Sequence, residues 1–150
     1  MTANPKGVPV THSPELLQSL RNINEQAAFN RWAAFDVVQA DTDGVVLRIS
    51  WREEFGQYAG FLHAGMTAAL IDTACGFAAV AATGSRVLAA HLSINYLRPA
   101  VGQRFVARAH VVKPGRSQVF TSCQLFAESD EGEKLVATGE TLLVVPVAPS

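Results

Sequence analysis

Between residues 60 and 76 the chain reads Gly60-Phe61-Leu62-His63-Ala64-Gly65-Met66-Thr67-Ala68-Ala69-Leu70-Ile71-Asp72-Thr73-Ala74-Cys75-Gly76. From Ala64 onward small and apolar residues continue to about position 83, where Gly84-Ser85 stops them, and this predicts one long helix. Such a stretch could be mistaken for a membrane span. Asp72 at its centre would be costly in lipid, and a surface built mainly of Ala and Gly suits a helix packed closely against a sheet.

Working outward, residues 52–62 form a loop of polar and glycine residues that delivers the chain into this helix. Before it, the runs 35–40 and 45–51 flank Asp41-Thr42-Asp43-Gly44, a good turn sequence, and read as a β-hairpin. Earlier still, Leu16, Leu17, Leu20, Ile23 and Ala27 recur at spacings of three and four, with Ser13 as N-cap and Pro14 in the first turn. That predicts an amphipathic helix over 14–31, a lid or packing element. After the long helix come four runs rich in β-formers, 87–97, 104–112, 118–127 and 134–145, each bounded by turn residues. In the second, Phe105, Ala107, Ala109 and Val111 alternate with Arg104, Arg108 and His110. The connections are too short for parallel crossovers, so the sheet is predicted to be mainly antiparallel. The fold class is therefore α+β: about six strands wrapped around a long central helix, with a further helix at the N-terminus.

With 150 residues and 49% hydrophobic composition the chain fills one core, predicted over 14–150, after a frayed start at 1–13. A formal net charge of −1 gives no general attraction for nucleic acid or an anionic membrane, so neither is an expected partner. Cys75 and Cys123 lie in apolar surroundings without CxxC spacing, which argues for buried thiols in a reducing compartment and against a metal site. The first 14 residues hold no apolar stretch of secretory length, and the expected location is cytoplasmic.

The chemistry is concentrated between Gln57 and Asp72. The helix start at Ala64-Gly65 offers backbone N–H groups and the positive end of the helix dipole, which can hold a carbonyl and the negative charge that grows on its oxygen. Asp72, among Leu70, Ile71, Ala74 and Cys75, sits where an unpaired charge is expensive, and it can activate water or attack a carbonyl. Eight helical residues rise roughly 12 Å, too far for the N–H of Ala64 and the carboxylate of Asp72 to act on one carbon. If both serve one substrate, they come from different subunits, with two antiparallel helices across a twofold axis.

At these residues the sequence resembles the hotdog-fold acyl-CoA thioesterases, in particular the PaaI-type branch. The resemblance spans roughly 35–145 and is carried by Gly60-Phe61-Leu62-His63-Ala64-Gly65, Leu70-Ile71-Asp72-Thr73-Ala74-Cys75-Gly76, Asn95-Tyr96-Leu97-Arg98-Pro99-Ala100 and Gly115-Arg116. It implies hydrolysis of an acyl- or aryl-CoA, with Asp72 as nucleophile or general base and Gln57 orienting water or the carbonyl. The family's HGG reads His63-Ala64-Gly65 here, and a backbone donor is indifferent to that change. His63 and Phe61 are implied at the substrate, and Arg98, Lys113 and Arg116 at the adenosine phosphates. Coenzyme A enters only as part of the substrate, no metal or other cofactor is implied, and the protein is expected to be a homodimer or a dimer of dimers. Where some members carry Ser or Thr after the helix, this chain has Ala89.

Each of these residues also has a plain structural reading. His63 can cap the helix start, Asp72 can be satisfied by hydroxyls such as Thr73, Gln57 can be a loop residue, and the three cations can be solvated turn charges. Phe61, Phe77 and Tyr58 suggest an apolar pocket, which Trp32 or Trp51 could also line. Ala89 keeps open a non-catalytic acyl-CoA-binding domain. A hydratase on the same fold would pair a His with an acid, an arrangement not found around His63.

Overall fold

A computed structural model describes residues 13–147; the rest of the N-terminal stretch read as frayed lies outside the described residues. Ser13 caps helix α1 (Pro14–Gln26), its hydroxyl accepting from the N–H of Leu16 at 3.3 Å, with proline in the first turn where no donor is lost. The helix expected over 14–31 is in fact two. Ala27 adopts extended angles, and a second helix, α2 (Ala28–Ala33), ends on Ala34 at φ 55°. The cause is Asn24, a buried side chain whose amide donates to the carbonyl of Phe35 at 2.7 Å and accepts from Asn30 at 3.0 Å. It ties the bend to the start of the sheet.

The sheet has six strands, β1 (Asp36–Ala40), β2 (Val45–Ser50), β3 (Leu88–Tyr96), β4 (Arg104–Lys113), β5 (Gln118–Ser129) and β6 (Gly132–Val144), in the order β1-β2-β4-β5-β6-β3. Every pairing is antiparallel. Asp41 closes the first hairpin as its side chain accepts from the N–H groups of Asp43 and Gly44 at 2.7 and 2.9 Å. Alternation puts Leu47, Ile49, Phe105, Ala107 and Leu125 on the inner face, where they are buried with Leu70, Ile71 and Ala74 of the long helix α3 (Ala64–Thr83). This helix is long and apolar enough to cross a membrane, but here the sheet covers much of it. Gly84 ends it in the left-handed region at φ 70°. Cys75 and Cys123 are both free and fully buried.

Two glycines mark how closely α3 approaches its surroundings. A Cβ on Gly139 of β6 would stand 2.6 Å from Cγ2 of Ile71, so helix and strand meet through the missing side chain. Gly139→Ala should therefore lower stability by about 1–3 kcal/mol through overpacking, measurable as a fall in Tm; an unchanged Tm would mean that the contact relaxes freely. Gly76 is the opposite case. It lies inside α3, where glycine costs about 1 kcal/mol relative to alanine, yet a Cβ there would meet nothing within 4 Å.

The sheet's edges differ. β1 is short, has an irregular register between Val37 and Gln39, and is covered by α1, whose Arg21 donates to the carbonyl of Val37 at 3.1 Å. β3 is nine residues long with seven of them exposed, and its side away from β6 has no strand beside it among the described residues.

Candidate active site

The start of α3 is built by the loop before it. Gln57 anchors a tight turn: its backbone N–H donates to Phe61 at 2.8 Å, its carbonyl accepts from Gly60 at 3.0 Å, and its side-chain oxygen accepts from the N–H of Ala59. Gly60 takes φ 82° in this turn, a conformation that favours glycine. The chain then passes Leu62 and His63, whose N–H groups donate to Ala100 and Phe55 at 3.0 and 2.8 Å. His63 is the N-cap: its Nδ1 accepts from the N–H of Gly65 at 2.8 Å. Its carbonyl accepts from Met66 and Thr67. The Gly65 donor is thus occupied, and the unengaged N–H of this first turn is that of Ala64. Tyr96, at the end of β3, donates its hydroxyl to the Ala64 carbonyl at 3.1 Å and fixes the helix start from the side.

These groups line a cavity of about 370 Å³ that includes Gln57, Phe61, Ala64, Thr67, Tyr96 and Arg98. Asp72 does not line it. Two turns along the helix, Asp72 opens with Gly76 and Phe77 into a second cavity of about 970 Å³, whose wall also contains Ala89. Burial raises the carboxyl of Asp72 above its ordinary value, with no hydrogen bond or charge offsetting the effect. Thr73 does not satisfy it. A half-buried carboxylate without a donor, facing a cavity, costs stability, and such a group can take part in a proton transfer or an attack.

The expected residues therefore divide. Gln57, Phe61, Ala64 and Arg98 come together at one end of α3, with His63 and Gly65 engaged in its cap. Lys113 and Arg116 do not join Arg98: Arg98 sits level with Val136 of β6, while Lys113 is level with Phe120 and Leu142, six residues along β6 and roughly 20 Å away. Tyr58 is fully exposed and lines neither cavity. Trp32 meets Phe55 edge to face and lies under Arg52, and Trp51 packs against Phe105; neither lines either of these two cavities. The sequence reading missed Tyr96 as a support for the helix start, since its partner lies 32 residues away and nothing local announces the bond.

An antiparallel sheet wrapped around one helix, with an open donor at the helix start and a half-buried carboxylate in its middle, is the hotdog arrangement of acyl-handling proteins. The chain belongs to the thioesterase superfamily, whose profile matches residues 59–134. It is 32% identical over 105 residues to human acyl-coenzyme A thioesterase 13, covering 69% of this chain and 74% of that protein. Among solved structures, a thioesterase family protein from Silicibacter pomeroyi superposes with a TM-score of 0.84 at 30% identity, covering 89% of this chain and 99% of that one. Zebra fish thioesterase superfamily member 2 gives 0.74 at 26% identity, covering 87% and 96%.

Proposed function

We propose that this thioester hydrolase acts on acyl-CoA as a PaaI-type enzyme, at a site completed by a second copy of the chain. The observation that carries this reading is the separation of the two reactive parts: the open N–H of Ala64 and the carboxylate of Asp72 line different cavities of one protomer. β3 runs between them, with Tyr96 on the first cavity and Leu88 and Ala89 on the second. If its open edge pairs antiparallel with the same strand of a second copy, each Ala64 cavity meets the other copy's Asp72 cavity, and a twofold dimer carries two identical sites. In this reading Arg98, with Lys113 and Arg116 of the second copy, takes the phosphates of coenzyme A.

In this reading the thioester carbonyl accepts a hydrogen bond from Ala64 N–H, and the α3 dipole stabilises the oxyanion. Asp72 of the other copy takes a proton from water as the water attacks and passes it to the departing thiolate, or attacks the carbonyl itself to expel the thiolate, after which water hydrolyses the mixed anhydride. The amide nitrogen of Gln57, whose oxygen is held by Ala59, orients the water or the carbonyl. Coenzyme A leaves as the thiol, with the acid as second product. Residues 14–150 serve as one catalytic domain, and the buried free thiols suit the reducing cytoplasm.

The test is thiol release from a panel of short, medium, long and aryl acyl-CoAs, with the oligomeric state measured by light scattering. Turnover by a dimer or tetramer is the expected result. Binding of acyl-CoA without thiol release would leave a carrier or sensor, the reading that Ala89 in the wall of the Asp72 cavity favours, because alanine at that position offers no hydroxyl to position water. An active monomer would refute the shared site.

A further inference from the structure

The larger cavity has a direction. Asp72, Gly76 and Val80 follow one another at intervals of four residues on one face of α3, and all three line it. Ile23 of α1 stands on its wall, as do Leu88 and Leu143 of the sheet. The reactive carboxylate is at one end, and the surfaces leading away from it are apolar over much of their length. Midway stands Gly76, which no close neighbour requires: a Cβ would project into open space. A glycine inside a helix is unfavourable relative to alanine, so packing within the protomer does not explain its presence. Room in the cavity does.

We infer that this groove holds the acyl chain of the substrate, laid along α3 from Asp72 past Gly76 toward Val80, and that the missing side chain of Gly76 sets the length it accepts. The inference rests on the thioesterase reading and deepens it. From Asp72 to Val80 the helix rises roughly 12 Å. Carbon–carbon bonds of about 1.5 Å in a staggered chain advance roughly 1.3 Å each, so that distance takes about nine carbons. Gly76 lies halfway, beside roughly the fifth carbon. The substrate class is therefore a medium-chain acyl thioester. A side chain at 76 shortens the groove to about half.

The test compares native protein, Gly76→Ala and Gly76→Leu on straight-chain acyl-CoAs from acetyl to palmitoyl and on benzoyl- and phenylacetyl-CoA, following thiol release, with Tm recorded for each. Native protein is expected to peak near octanoyl or decanoyl. Gly76→Leu should lower the ratio of kcat/KM for decanoyl over butyryl at least tenfold and move the optimum to shorter chains. Gly76→Ala should raise Tm and move the ratio in the same direction by a smaller step. If leucine impairs folding, the alanine variant still reads the ratio. An unchanged ratio in variants that hydrolyse acyl-CoA, or a native preference for aryl or acetyl groups, overturns the inference and leaves the hydrolase standing. Absence of thiol release by the native protein overturns both.

Discussion

Replacing Asp72 with asparagine is expected to reduce acyl-CoA hydrolysis at least about a hundredfold, a loss of roughly 2.7 kcal/mol in transition-state stabilisation, while raising thermal stability at neutral pH. Both effects have one cause. The carboxylate is half buried and has no donor to stabilise its charge, so burial raises its pKa. A group whose folded pKa exceeds its unfolded value adds stability below the unfolded value, near 3.8, and loses it as pH rises through the raised one. Asparagine never ionises. The variant's advantage in Tm should be largest at neutral pH and disappear under acid, below about 3.8. The same titration moves the acid limb of native kcat/KM upward from that of an unperturbed carboxylate. Thermal melts and rates across pH check both halves. An Asp72→Asn protein that retained native turnover would remove this residue from the mechanism.

The second large effect concerns a donor that no ordinary side-chain substitution reaches. Ala64 is the first residue of α3, where proline is tolerated and its missing N–H leaves the helical hydrogen bonds intact. His63 before it already has φ −60° and ψ 137°, the region that a residue preceding proline prefers. Ala64→Pro should therefore fold normally and keep the Tyr96 bond to the carbonyl, yet lose about a hundredfold to a thousandfold in kcat with the oxyanion donor. Combined with Asp72→Asn it tests the shared site. In a mixed dimer of the two inactive chains, one site joins the intact Ala64 of one copy to the intact Asp72 of the other. Co-refolded chains should regain roughly a quarter of native activity, since half the dimers are mixed and each has one good site. If both reactive groups acted within one chain, mixing would restore nothing.

Much of this architecture is legible in the sequence because it depends on local signals. Ser13 before Pro14, Asp41 to Gly44 between alternating runs, and Gly84 after an apolar stretch each impose a boundary through backbone chemistry, and the elements lie where those residues put them. The break at Ala27 was not legible, because Asn24 and Phe35 enforce it from a distance. Asp72 announces itself by its cost in an apolar helix. The roles of Gly65 and His63 are less visible: only the geometry separates a donor held by a cap from the open donor one residue before it. For the same reason Arg98, Lys113 and Arg116 read alike as turn cations, although strand register places them at opposite ends of the sheet.

The unequal edges of the sheet bear on what the protein avoids. A sheet with two open edges can be extended at both, and copies joined head to tail through unlike edges form a chain without end. Here Arg21 occupies the Val37 carbonyl at one margin and α1 lies over the short β1, so among the described residues the margin left for another strand is that of β3. Growth of the sheet through a like-with-like junction of two β3 margins consumes that open margin in each participant and stops at two. Loosening α1, by truncation before Ala27 or by Arg21→Ala, would restore the second margin, and fibrous aggregates rather than merely unfolded protein should accumulate.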